Sequence, residues 1–529
     1  MFDLVRICTA AIVVALTVSI PGSLVAEPKG PGAGAIDDQR IMNAGDGEWL
    51  AYGRDYEGHR FSPLTQINRD NVSELGLAWH HDMGTNRTAE ATPIVVDGVM
   101  YLTSAWSRVY AMDVATGEVL WKFDPQVEGA YARKTCCDVV NRGVAVYGGK
   151  VYVGAIDGRL HAIDAATGEA VWSVDTVTDR NLWYSITGAP LVAKGKVFIG
   201  NSGSEFGIRG YVSAYDAETG ELAWRFYTVP GNPADGFEHP EMELAAKTWN
   251  GEWWKWGGGG TVWNTLVYDP DFDQVLIGTG NGAPWARAVR SPGGGDNLFL
   301  VSIVALDPES GEMKWHYQQV PAEDWDYTAT ADIALADMTV DGQPRKVLLQ
   351  APKNGFFYVI DREDGELLRA HPFVPVTWAT HVDMETGRPV ENPDLHYVDG
   401  AKYIRPGPLG GHNWQAMSVD IEAGLVYLGV MENGLVYTMD EEFKASGTVK
   451  RKPGGLNLGI ELGKLNAAIE NYTGEMLPEK GYLKAFDPLT GKEAWAVELP
   501  HSWNGGVLGT AGGLVFQGDA TGFVSAYDK

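Results

Sequence analysis

VYAMDVATGEVLWKF, residues 109–123, decides the fold, because the chain repeats it. LHAIDAATGEAVWSV begins at Leu160, VSAYDAETGELAWRF at Val212 and IVALDPESGEMKWHY at Ile303. FYVIDREDGELLRAH begins at Phe357, LKAFDPLTGKEAWAV at Leu483, and VSAYDK closes the chain. Each copy reads strand, turn, strand. Alternating apolar residues lead to Asp, Thr-Gly turns the chain, and a strand carrying Trp leaves. The turn glycine takes a positive φ without a Cβ clash, and Asp or Thr hydrogen-bonds the turn backbone. Because Trp keeps a fixed offset, it can dock against the neighbouring unit in each copy.

Before the copies stand further strand pairs, such as TPIVVDGVMYLTSA (92–105) and GVAVYGGKVYVGAIDG (143–158). One unit is therefore four short antiparallel strands. Four-stranded units arrayed radially make a β-propeller, with a solenoid as the runner-up. Asp113, Asp164 and Asp216 are nearly evenly spaced, whereas longer stretches before Asp307 and Asp487 must carry insertions. The expectation is an all-β propeller of residues 27–529.

Residues 1–26 read as a cleaved secretory leader: Arg6, an apolar run from Ile7 to Ile20, and small residues up to Ala26. Cleavage would remove Cys8 and leave Cys136 and Cys137 alone in an oxidising compartment, the periplasm. A net charge of −28 argues against nucleic acid and anionic membrane surfaces as partners. The 66 Gly, 19 Trp and 22 Tyr suit short strands joined by tight turns.

Cys136 and Cys137 are neighbours in RKTCCDVVNRG, residues 133–143. Adjacent Cα atoms stand about 3.8 Å apart, below the usual ~4.4–6.8 Å of a disulfide. A bond between them closes a tiny ring and removes almost no loop entropy. Its use would be a rigid sulfur platform facing a ligand; the alternative is a pair of incidental thiols.

The docked repeat, TCCDVVNRG, GNSGSEFGIRGY (200–211), IGTGNGAPW (277–285) and EDWDY (323–327) together resemble the quinoprotein alcohol dehydrogenases. The likeness runs from about Trp49 to the last residue. It implies a periplasmic eight-bladed propeller holding pyrroloquinoline quinone (PQQ) and calcium. It implies that Glu205, Asn281 and Asp326 bind the metal, and that Asp326 is the base taking the hydroxyl proton. Calcium prefers several oxygen ligands, and a base at the alcohol oxygen suits that chemistry. Trp263 would stack on one quinone face with the cysteine ring on the other. Arg142 would clamp a carboxylate, and Glu90, Thr187, Ser202, Gly203, Ser204 and Thr261 would add smaller contacts. Lys353 in APKNG, with GGHNWQ (410–415), is more like the ethanol and quinohaemoprotein types than methanol dehydrogenase. Asn413 and Trp414 would then touch the quinone.

Lanthanide-dependent relatives carry an extra Asp where this chain has Thr328, so calcium is expected. Primary alcohols are the expected substrates, with a separate cytochrome c, soluble or membrane-associated, as acceptor, since no C-x-x-C-H occurs. A homodimer is left open. The last repeat stops mid-turn at Asp528, so the closing blades are expected to be truncated, and LGLAWHHDM (75–83) to be the outer strand of a missing blade. Competing readings are a non-catalytic propeller scaffold and a quinoprotein acting on polyols or polymeric alcohols.

Overall fold

The structure, a computed structural model, describes residues 33–529; the proposed leader and Cys8 lie outside the described residues. Seven four-stranded sheets follow one another along the chain. In the first, Ile94–Val96, Val99–Ser104, Arg108–Asp113 and Val119–Phe123 pair antiparallel in sequence order. The next five repeat that order, their innermost strands starting at Ala145, Leu191, Leu266, Ile333 and Ser418. In the seventh, Val507–Thr510, Leu514–Gly518 and Val524–Asp528 are antiparallel, and Phe61–Ser62 joins the innermost strand in parallel.

The Asp turn is built as its sequence requires. Asp113 Oδ1 accepts from the Ala115 and Thr116 amides and the Thr116 hydroxyl at 3.0–3.1 Å. Asp164 and Asp216 do the same. A register shift recurs just before the turn, at Ala111/Met112, Ala162/Ile163, Ala214/Tyr215 and Ala305/Leu306. Such bulges sharpen strand twist, which suits blades that must pack face to face.

The docking is equally regular. Indole Nε1 of Trp121, Trp172, Trp224 and Trp315 donates to the carbonyl after the next unit's turn aspartate, at 3.0–3.2 Å. The turn glycine lies under the ring: a Cβ at Gly168 would stand 2.7 Å from the Trp121 indole. In the fifth sheet Arg369 stands at the Trp offset, and His371, two residues on, lies over Gly491 instead and reaches the Leu489 carbonyl at 3.2 Å. Trp495 breaks the pattern; its Nε1 is buried without a partner.

LGLAWHHDM corrects one expectation. Residues 75–83 form no strand, and Leu77 is 82% exposed. A strand needs a backbone neighbour, and none of the described residues supplies one there. Trp79 nevertheless docks like the others, donating to the Val114 carbonyl at 2.8 Å.

Middle strands are buried on both sides because sheets cover both faces, whereas the outer Val119–Phe123 strand alternates in exposure. One apolar cluster joins the first four sheets through Val109, Val151, Phe198 and Val275. Another joins the fourth and fifth sheets through Leu276, Leu348 and Tyr358. Each such buried aliphatic side chain contributes about 1.5–3 kcal/mol of transfer free energy. The long intervals carry insertions, including the helix Pro240–Ala246 and the hairpin Ala379–Val382 with Pro389–Glu391.

Candidate active site

The site residues come from two recurring kinds of loop. Glu90, Cys136, Cys137, Arg142, Thr187, Thr261, Trp263, Asp326, Asn413 and Trp414 lie in connections leading to the innermost strand of the next sheet. Ser202 to Glu205, Asn281 and Lys353 lie between the second and third strands of the third, fourth and fifth sheets. Both loop types open at the same end of the sheets, so residues far apart in sequence can meet around the axis.

The metal candidates do meet. Asn281 Nδ2 donates to Glu205 Oε1 at 3.0 Å, and Asn281 is buried. Lys353 Nζ donates to Asp326 Oδ2 at 3.0 Å and to the Asp326 carbonyl at 3.2 Å. Burial pushes the Asp326 carboxyl well above the ordinary carboxylate range; Lys353 pulls it back, while Glu205 and Glu323 push it further. Lys353 is buried too, yet Asp326 and Glu205 hold its ammonium above the usual lysine value against that burial. Two carboxylates crowded without enough positive charge, beside an amide, form a hard oxygen donor set suited to a divalent cation. Among the described residues no group of three His, Cys, Asp or Glu forms a metal cluster, so the rest of a calcium shell would fall to a cofactor's oxygens.

A second polar cluster surrounds Arg142. Its Nη1 donates to Thr187 Oγ1 at 3.0 Å, and its Nη2 lies 2.8 Å from Glu90 Oε2. Thr187 Oγ1 is 2.8 Å from Ser202 Oγ, and Ser204 Oγ is 2.9 Å from Thr261 Oγ1. The guanidinium carbon stands 5.0 Å from the Trp263 ring centre and 5.3 Å from that of Trp414. Arg142 Nε is buried without a hydrogen-bond partner, as expected of a guanidinium waiting for an external carboxylate. Gly203 has φ 113° and a Cβ there would meet the Trp183 carbonyl at 2.7 Å, so its role is backbone geometry. Asn413 turns its amide to the Leu409 carbonyl at 2.8 Å and its oxygen to the Trp414 amide at 2.9 Å.

The cysteine pair differs from expectation. Cys136 and Cys137 are free thiols, accessible to solvent, with no bond between the sulfurs. Neighbouring residues must distort their backbone to close so small a ring, and the relaxed dithiol avoids that cost. Cys136 donates a hydrogen bond to Cys137, which raises the Cys136 thiol and lowers Cys137; Arg142 and Lys353 also favour a Cys137 thiolate, against burial and Glu205. The pair thus faces the same charges as the metal candidates.

Sequence reasoning missed the groups beneath the site. Glu323 is fully buried and accepts three backbone N–H bonds. Burial raises its carboxyl to about 7, partly offset by Arg290 and those amides. Glu323 was visible only as one letter of EDWDY, and Arg290 carried no signal at all. Arg60 pairs with Asp332 at 2.7 Å, both buried, beside Tyr52.

A family model described as the glucose/ethanol/alcohol dehydrogenase β-propeller domain matches residues 49–386. The chain belongs to the PQQ-dependent quinoprotein alcohol dehydrogenases. Quinohemoprotein alcohol dehydrogenase ADH IIB of Pseudomonas putida is 53% identical over 508 residues, covering 95% of this chain and 71% of that one. The solved quinohemoprotein alcohol dehydrogenase of Comamonas testosteroni shares 47% identity at a TM-score of 0.88, over 94% of this chain and 74% of that one. A europium-containing methanol dehydrogenase is more distant, at 34% identity and a TM-score of 0.83 over 93% of this chain and 85% of that one. The quinoprotein is thus nearer the quinohaemoprotein type than methanol dehydrogenase, as Lys353 and GGHNWQ imply. A second model, for the outer membrane protein assembly factor BamB, matches only residues 479–529, where this quinoprotein carries the shared repeat.

Proposed function

We propose that this protein oxidises primary alcohols to aldehydes with PQQ and calcium, in the periplasm, passing electrons to a cytochrome c. The observation that carries the reading is the buried Lys353–Asp326 pair beside Glu205 and Asn281. Glu205, Asn281 and Asp326 would hold calcium, and Arg142 with Thr187 would hold a quinone carboxylate. Bound there, PQQ and calcium supply a two-electron acceptor polarised by a Lewis acid. This chain's residues do the rest. Asp326 accepts the alcohol's hydroxyl proton at a carboxylate oxygen. Lys353 opposes the protonation that burial favours and aims the carboxylate. Arg142, Trp263 and Trp414 orient the planar ring, and Cys136 and Cys137 would lie against its other face.

Calcium rather than a lanthanide is favoured by Thr328, whose hydroxyl pairs with Thr330 at 2.9 Å and adds no charge. The periplasmic placement rests on the leader-like residues 1–26. The ring is read as eight-bladed: beyond the seven sheets, Trp79 docks on the first as the outer-strand tryptophan of one more unit would.

Reconstitution tests the reading. Protein supplied with PQQ and calcium should reduce an artificial dye with ethanol. Asp326→Asn should fold and bind quinone but lose about 10²–10⁴-fold in turnover. Absence of bound-quinone absorbance in the unaltered protein would refute the assignment, and activity with lanthanum but not calcium would refute the metal.

A further inference from the structure

Asp326 and Asn281 sit on different loops, after the fourth sheet and within it, and something must hold those loops at a cation's spacing. Glu323 touches both. Its Oε1 accepts from the Trp325 amide at 2.5 Å and the Tyr327 amide at 2.9 Å, the two residues flanking Asp326. Its Oε2 accepts from the Gly282 amide at 3.0 Å, the residue after Asn281. Asp326 has φ 70°, in the left-handed region that few non-glycine residues occupy, so the backbone on either side of it is held in an uncommon conformation. Glu323 is itself anchored. The fully buried Arg290 donates to the Glu323 carbonyl, to the Trp285 carbonyl at 2.7 Å and to Asn297 Oδ1 at 3.1 Å. Gly282 makes room for it: a Cβ there would lie 2.1 Å from Arg290 Nη1.

Resting on the calcium reading above, we propose that Glu323 is the positioning residue of the metal site, a single buried carboxylate that sets the distance between the Asn281 and Asp326 loops. An amide cannot replace it, because three N–H donors need an acceptor at both oxygens and an NH₂ group would face a donor. Groups that orient metal ligands from outside the ligand shell typically carry about 10–100-fold of metal affinity.

The test titrates calcium alone into quinone-loaded, chelator-stripped protein. Glu323→Gln should bind calcium roughly 10–100-fold more weakly. Its turnover should recover when calcium is saturating, a response that a merely structural role would not give. Glu323→Asp, which keeps the charge, should fall between Gln and the unaltered protein. Calcium affinity within twofold of the unaltered protein in either folded variant overturns the proposal. If neither variant folds, hydrogen exchange on the unaltered protein decides. Calcium should slow the Gly282, Trp325 and Tyr327 amides together; slowing confined to one loop overturns it. Failure of the unaltered protein to bind calcium refutes instead the metal reading on which the proposal rests.

Discussion

Lys353 illustrates how much one side chain can set. Burial drives the Asp326 carboxyl up, and the Lys353 ammonium is the first opposing influence. Replacing it, as in Lys353→Met, leaves burial and the Glu205 and Glu323 charges unopposed. The acid limb of the kcat/KM pH profile should then move to higher pH, since the base must be ionised to accept a proton. His161 gives a stability counterpart away from the site. It is buried against Phe123, and burial lowers it from 6.5 to about 4. The folded state therefore holds it neutral while the unfolded chain protonates first. Its contribution is intact above pH ~6.5 and is lost as pH falls towards 4, about 2–3 kcal/mol by pH ~4.5. Unfolding free energies from urea titrations at about pH 7 and pH 4.5 should differ by that much less in His161→Leu than in the unaltered protein.

At the scale of the element, the unit of stability is the indole on its glycine. Gly168 has φ 77°, and a Cβ would lie within 2.9 Å of three Trp121 ring atoms. Gly168→Ala should destabilise by about 2 kcal/mol or more, combining an unfavourable φ with a displaced indole. Chemical denaturation should show a lower midpoint at an unchanged slope. This element was legible in the sequence because the Asp turn, the glycine and the tryptophan interact locally or with the adjacent unit, at constant offsets. Residues 75–83 show the limit of that legibility. Their pattern matches an outer strand, but pairing depends on what lies beside them, and a local pattern does not contain its neighbour.

Across the whole molecule, loops from successive sheets converge on one axis, so ligands held there bridge several sheets. Binding to the folded chain alone stabilises it by mass action, about 2.7 kcal/mol at a hundred times the dissociation constant. If Asp326 and Glu205 hold calcium beside the quinone as proposed, calcium and PQQ together should raise the thermal midpoint more than either alone. A calorimetric scan with and without chelator checks this; equal midpoints would place neither ligand at the hub.

The sequence by itself determined the repeating unit and the family resemblance, and through that resemblance the candidate site residues, since periodic turns and short motifs carry their own local chemistry. Only the tertiary structure decided the rest: the Arg142–Glu90 contact, the clasp of Lys353 on Asp326, the unbonded thiols, and the hidden Glu323–Arg290 support. Those depend on which loops face one another and on how deeply each charge is buried. Solvent exclusion and through-space distance arise only when the sheets close around a common centre.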